Sequence, residues 1–225
     1  MNTPAAPCVI LGSRSPRRRE LLGRICPPES IAVIAPRVES EAGFAGLHAL
    51  PDIEHRLLEI ARAKADDVVA QAAERASGGR ATPWAALIAA DTEVVVRDSS
   101  GKCHALGQPP RDDWAEVVRR WFRDEYAGRT HLAISALVIA APDGRRFERL
   151  VATQVTFVRD IEPWLDWYLS TGEPQGKAGG YAVQGAGSIF IERIEGSLTN
   201  VIGLPLEAML DGFEELDIAG VAHRA

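Results

Sequence analysis

What this 225-residue sequence lacks narrows it first. It has only three cysteines, Cys8, Cys26 and Cys103, an odd number with no metal-ligand spacing. That speaks against a disulfide scaffold or a zinc site and for reduced thiols used in packing. No apolar run approaches the ~20 residues of a membrane-spanning helix. Residues 1–7 carry neither the basic region nor the long apolar segment of a secretory leader. A cytoplasmic protein with no membrane partner is therefore expected. Positive charge is not in excess: 25 Lys and Arg stand against 31 Asp and Glu, a formal net charge of −6. A nucleic-acid polymer is then not the expected partner. The phosphate-binding pattern Gly-x-x-x-x-Gly-Lys-Ser/Thr is absent. Gly185-x-Gly187 is not a dinucleotide fingerprint either, because Phe190 occupies the place of the third glycine. There is no internal repeat and no low-complexity tract. What remains, 46% hydrophobic and 25% charged residues, suits a packed globular core in one largish domain or two small ones.

The chain is organised around Val9-Ile10-Leu11-Gly12-Ser13-Arg14-Ser15-Pro16-Arg17-Arg18-Arg19-Glu20. A short apolar run reads as a buried strand. A Gly-Ser break follows, and then a helix start with Ser15 as N-cap and Pro16 at the first helical position. A strand, a tight turn and a helix start expose unpaired backbone N–H groups, to which Ser13, Ser15 and three arginines add donors suited to phosphate oxygens. The competing reading is an ordinary strand–turn–helix with a solvated arginine face.

Further along, residues 30–35 read as a second strand leading to Glu39 and Glu41, loop or strand-end carboxylates that on their own read as a solvated pair. A long helix is expected over about 52–76, with Leu57, Ala61, Val68 and Ala72 at helical spacing. Lys64 falls on that apolar face, where it either snorkels to the edge or lines a polar cleft beneath the helix. Residues 87–96 form an apolar strand interrupted by Asp91-Thr92-Glu93. A buried carboxylate there is costly unless paired or bound to a cation, which marks Asp91 as functional. An amphipathic helix over 112–126 carries a core stripe of Trp114, Val117, Val118, Trp121 and Phe122. His131 precedes a strand at 132–140 and reads as a ligand or, more commonly, as a hydrogen-bonded structural histidine. With the strand at 146–159, the order suggests an antiparallel portion joined to an α/β half. The glycine-dense run 172–185 permits close backbone approach to a ligand. Lys177 and Gln184 add a cation and an amide to it, and the bland alternative is a flexible lid.

Ser13-Arg14-Ser15-Pro16-Arg17-Arg18 after the first strand, Ala63-Lys64-Ala65, Ala89-Ala90-Asp91-Thr92, Lys177-Ala178-Gly179-Gly180-Tyr181-Ala182-Val183-Gln184-Gly185 and Asn200-Val201-Ile202-Gly203-Leu204-Pro205-Leu206 together resemble the Maf family of nucleoside triphosphate pyrophosphatases, in the family's order and across nearly the whole chain. The resemblance implies a single α/β domain over residues 1–225, core about 8–216. It would have a long mixed sheet and two lobes around a central cleft, like inosine triphosphate pyrophosphatases, and often form a homodimer. It implies hydrolysis of a nucleoside triphosphate to the monophosphate and pyrophosphate with a divalent cation, Mg2+ or Mn2+. Carried over residue by residue, Asp91, Glu39 and Lys64 would be catalytic, with Glu39 and Asp91 at the metal and Asp91 as general base. Ser13, Arg17, Arg18, Thr92, Lys177 and Gln184 would bind substrate. Arg17, Thr92 and Gln184 match the branch associated with dTTP and UTP, whose expected role is clearing non-standard nucleotides. One departure stands out: Leu106-Gly107-Gln108-Pro109 has Gln108 where the family usually carries lysine, a loss that Lys102 would have to cover. It leaves room for an alternative, a nucleotide-binding regulator of septum formation with weak or no turnover.

Overall fold

The computed structural model describes residues 8–37, 43–78 and 83–221. Among them the chain runs β1 (Cys8–Leu11), α1 (Pro16–Leu22), β2 (Ile31–Val33), α2 (Leu50–Ser77), β3 (Trp84–Arg97), β4 (Cys103–Ala105), α3 (Trp114–Arg120), β5 (Thr130–Ala140), β6 (Arg146–Phe157), α4 (Glu162–Ser170), β7 (Ile191–Glu195), α5 (Leu198–Ile202) and α6 (Leu206–Glu215). One mixed sheet has the order β2-β1-β3-β5-β6-β7, with β4 beside the far end of β3. β1 is parallel to β2 and β3, whereas β3, β5, β6 and β7 form antiparallel neighbours. The expected junction of an α/β half with an antiparallel half is thus present in one sheet.

The long strand β3 explains where the cleft opens. Its even-numbered residues begin in one apolar cluster (Ile88 and Ala90 with α1 and α6) and end in another (Val94 and Val96 with α3, α4 and the glycine run). Thr92 separates the two. β5 repeats the pattern, with Leu137 and Ile139 in the first cluster, Ala133 in the second and Ser135 between them. The opposite sheet face is a single cluster against α2, including Leu87, Ala89 and Val95. Two apolar lobes therefore meet one face of the sheet on either side of a polar gap.

An open sheet edge coincides with that gap. β1 stops pairing with β3 at Leu11 opposite Ile88, and β4 joins only at Val95. Gly12 N–H donates to Ile88 O at 2.8 Å and Leu106 N–H to Val94 O at 2.7 Å. Between them, Ala90 O has no strand partner and takes a side-chain donor, Arg18 Nη1, at 2.7 Å. A buried carbonyl left unpaired is costly, so this arginine completes the sheet edge.

One expectation changes in detail. The helix over 112–126 is α-helical only through Arg120. It continues as a wider π-turn over Trp121–Tyr126, in which Ala127 N–H reaches back five residues to Phe122 O at 2.9 Å. The final segment is two helices: short α5, capped by Ser197 accepting Asn200 N–H, and then α6 after Pro205. Buried Asn200 fixes α5 to the sheet by donating from Nδ2 to Ala133 O, Val151 O and Thr153 Oγ1 at 2.9–3.0 Å.

Candidate active site

A cleft of about 490 Å3 lies at the open edge of β3. Ser13, Arg17, Arg18, Lys64, Asp91, Thr92, Lys177 and Gln184 all line it, as does Gln108. Residues from five separated stretches are thus brought together. Glu39 lies outside the described residues.

The β1–α1 turn forms one wall. Ser13 is buried and its Oγ accepts Ser15 N–H at 3.1 Å, while Ser15 caps α1 by accepting Arg18 N–H at 3.4 Å. The three arginines divide. Arg17 points into the cleft and makes no hydrogen bond to the described residues. Arg18 bridges the turn, β3 and α5: Nε donates to Gly203 O at 2.8 Å, Nη1 to Ala90 O at 2.7 Å and Ser13 Oγ at 3.4 Å, and Nη2 to Thr92 Oγ1 at 3.1 Å. Arg19 instead borders a second, shallower hollow on the other side of the turn, with Arg24 and Pro28.

Opposite stands the pair from α2 and β3. Lys64 Nζ donates to Asp91 Oδ1 at 2.7 Å, and the two side chains are only 15% and 14% exposed. Lys64 resolves its two readings in favour of the cleft. Its ammonium turns into the cleft beneath α2 and meets Asp91, one of the two carboxylates in β3. Among the described residues Lys64 is the only hydrogen-bond donor to Asp91, and Asp91 itself lines the cleft. A trio of His, Cys, Asp or Glu able to hold a metal is absent among the described residues.

The third wall is the glycine run, and it is anchored. Gly179 has φ +69° and its N–H donates to Leu106 O at 2.6 Å and Gly107 O at 3.1 Å, while its carbonyl accepts Tyr126 Oη–H at 2.9 Å. A Cβ there would lie 2.7 Å from both Tyr126 Oη and Val94 Cγ2. Gly180 O and Glu173 Oε1 each accept from Tyr168 Oη at 3.2 Å, and Glu173 also accepts the N–H groups of Ala186 (2.7 Å) and Gly187 (2.9 Å). The dense glycines serve tight packing here, and the segments carrying Gln108, Lys177 and Gln184 are tied to one another. Tyr126, Tyr168 and Glu173 do this work without having been marked by sequence pattern. An aromatic at the end of a helix before a Gly-rich segment is too common a signal to have found them.

Lys177 packs its stem into this wall and donates to Glu173 O. Burial pushes its pKa below the ordinary lysine range and the positive charge of Arg17 acts in the same direction, with Glu173 opposing. Arg17 is therefore close enough to disfavour the charged form of Lys177. Gln108 and Gln184 are exposed in the cleft with no hydrogen bond to the described residues. Lys102 sits on the exposed β3–β4 turn, away from the cleft-lining set, so it does not replace the missing cation. His131 is structural: it is buried among Tyr126, Phe157 and Tyr181, and its Nε2 lies 2.8 Å from Tyr181 Oη. Burial lowers its pKa to about 3, so the ring is neutral, and its Nδ1 has no partner.

The model described as "Maf-like protein" matches residues 8–216, spanning every wall of the cleft. The chain belongs to the Maf-like family. A protein described as dTTP/UTP pyrophosphatase from Anaeromyxobacter dehalogenans is 38% identical over 205 residues, covering 89% of this chain and 90% of its own. One so described from Pyrococcus horikoshii is 36% identical, covering 90% and 94%. Another from Burkholderia pseudomallei is 37% identical over 224 residues, covering 99% and 97%. A solved structure, a nucleoside-triphosphatase (dITP/XTP pyrophosphatase) from Mycobacterium abscessus, is a distant likeness with TM-score 0.40 and 14% identity, covering 90% of this chain and 91% of that one. Among the described residues of this Maf-like chain, no helix is long and apolar enough to cross a membrane.

Proposed function

We propose that this Maf-like chain hydrolyses nucleoside triphosphates, dTTP and UTP foremost, to the monophosphate and pyrophosphate, and so clears non-standard nucleotides. The observation that carries the reading is the charge layout of the cleft. Arg17 and Lys177 repel one another across a space bordered by the Lys64–Asp91 pair. Partial burial and a neighbouring cation both disfavour charge on Lys177, and a polyphosphate bound between the two side chains relieves that. The remaining wall, with Val94, Ala133, Tyr181, Val183 and the amides Gln108 and Gln184, suits a nucleobase held by apolar contact and hydrogen bonds to its edge.

In this reading Asp91 accepts a proton from the attacking water through the carboxylate oxygen that Lys64 does not occupy, a role worth about 10²–10⁴ in rate. Lys64 fixes the carboxylate and adds a positive charge near the reacting phosphate. Arg17, Arg18, Lys177 and the Ser13 hydroxyl hold phosphate oxygens and stabilise charge on the departing pyrophosphate. The donor set fits a hard divalent cation of the Mg2+ or Mn2+ type, which takes one or two carboxylates and completes its shell with substrate phosphates and water. Asp91 would hold it, together with Glu39, which the family resemblance implies and which lies outside the described residues. When bound, such an ion supplies neutralisation of phosphate charge. The proposal extends to a cytoplasmic setting and a pair of chains in solution, which sedimentation checks. The Gln108 substitution in the cleft supports a second reading, a nucleotide binder with little turnover.

The test is to incubate the protein with dTTP, UTP, CTP, GTP and 7-methyl-GTP and separate the products. Monophosphate with pyrophosphate from dTTP and UTP is expected. Diphosphate with orthophosphate would refute the reaction. Binding without products, restored to turnover by Gln108→Lys, would favour the second reading.

A further inference from the structure

Ser135 is a polar residue in the middle of an apolar strand. It is fully buried, between Ala133 of one lobe's cluster and Leu137 of the other's. In the β3–β5 ladder it stands opposite Thr92, with the two hydroxyl oxygens 2.8 Å apart. Thr92 is its only hydrogen-bond partner among the described residues. A buried hydroxyl proton left unused costs more than an unused lone pair, so Ser135 donates to Thr92. Arg18 Nη2 also donates to Thr92 Oγ1, at 3.1 Å. Thr92 then has both lone pairs engaged, and its own proton goes to Gly203 O at 3.4 Å. A threonine hydroxyl has one donor and two acceptor positions, and all three are filled by the protein.

We infer that Thr92 and Ser135 are positioning residues that act on the substrate through Arg18, and that the Thr92 hydroxyl does not contact the nucleotide. The pair sets the plane of the Arg18 guanidinium, whose other donors hold Ala90 O at the open edge of β3 and Gly203 O at the end of α5. Gly203 makes the approach possible, since its carbonyl is presented from a φ of +123° that L side chains rarely adopt. Substrate preference attached to position 92 is therefore relayed: a different side chain at this position changes where Arg18 lies along the cleft wall.

The inference rests on the proposed triphosphate hydrolysis for its kinetic test, and a second readout is independent of it. kcat/KM for dTTP is measured for Ser135→Ala, Thr92→Val and Thr92→Ser, each alone and combined with Arg18→Lys, with melting curves recorded for every variant. Ser135→Ala and Thr92→Val are expected to lower kcat/KM by about three- to tenfold, the range of one lost hydrogen bond. Thr92→Ser, which keeps the hydroxyl, is expected within about twofold of the parent. In the Arg18→Lys background the first two are expected to cost nothing further, because they act through the residue already changed. Losses that multiply in an active enzyme overturn the inference and leave the hydrolase reading intact. Absence of product from the unmodified protein overturns the hydrolase reading. In that case the nitrogen-15 resonance of Arg18 Nε–H decides. It is expected to be sharp and protected in the parent and broadened in Thr92→Val; an unchanged resonance overturns the inference.

Discussion

Gly179 ties the cleft together, and its replacement by alanine puts two costs at one position. Its φ of +69° is a conformation that an L residue adopts at a cost of about 1–2 kcal/mol. The new methyl would also lie 2.7 Å from Tyr126 Oη and Val94 Cγ2 and 2.9 Å from Val94 Cβ. Val94 is core strand and Tyr126 is fully buried, so neither yields easily, and overpacking of this kind adds about 1–3 kcal/mol. Gly144 provides the control. It also has positive φ, +90°, but lies in the β5–β6 turn with nothing within 4 Å of a built Cβ. Gly144→Ala should therefore lose about 1–2 kcal/mol in urea unfolding, and Gly179→Ala about 2–5 kcal/mol. The consequences for activity differ as well. Moving Gly179 displaces its hydrogen bonds to Leu106 O and Gly107 O, and with them the register of Gln108 against Lys177 and Gln184. Small misplacements of binding groups cost up to about a hundredfold in rate, so pyrophosphate release by Gly179→Ala is expected to fall at least tenfold. Equal destabilisation by the two substitutions, or full activity in Gly179→Ala, would refute the claim that this glycine is required by close packing at the cleft.

Three further outcomes are expected. Arg17→Ala should raise the KM for the triphosphate by tenfold or more while changing inhibition by the monophosphate far less, as initial rates with both ligands would reveal; an equal effect on the two removes Arg17 from the polyphosphate. His131 is held neutral in the fold, with a pKa of about 3 against an unfolded value near 6.5. Stability from this group is therefore complete above pH ~6.5 and lost as pH falls toward 3, at up to about 1.4 kcal/mol per pH unit. Urea midpoints from pH 7 to pH 5 should drop more steeply for the parent than for His131→Gln, and parallel slopes would contradict this. Chelation of divalent cations should abolish pyrophosphate release, and added Mg2+ or Mn2+ should restore it; turnover undiminished by chelator removes the ion from the reaction.

Much of the site could be read from local pattern because each piece violates a local rule. Lys64 interrupts an apolar helix face, Asp91 interrupts an apolar strand, and Ser15-Pro16 announces a helix start with few alternatives. The two-lobed mixed sheet followed from strand order joined to family resemblance. What was not legible depends on tertiary geometry. Arg18 reads as a phosphate ligand like its neighbour Arg17; it lines the cleft, and one residue's rotation around α1 also brings it to a carbonyl orphaned where β1 and β3 part. No local pattern records that an edge will be open at Ala90. Ser135 carries no local signal within its apolar strand, and its importance appears only when the register sets it against Thr92. The glycine run allowed for a flexible lid; its rigidity comes from Tyr126, Tyr168 and Glu173, residues from three different segments.

Asp91, held by Lys64 in a cleft that also carries Arg17 and Lys177, is proposed to activate water against a bound nucleoside triphosphate. The most direct test compares pyrophosphate release from dTTP by the parent and by Asp91→Asn, with nucleotide binding measured on both. Rapid release by the parent is expected, with a loss of about 10²–10⁴ in Asp91→Asn and binding retained in both because Arg17 and Lys177 are unchanged. Release by Asp91→Asn at the parental rate would contradict this role of Asp91.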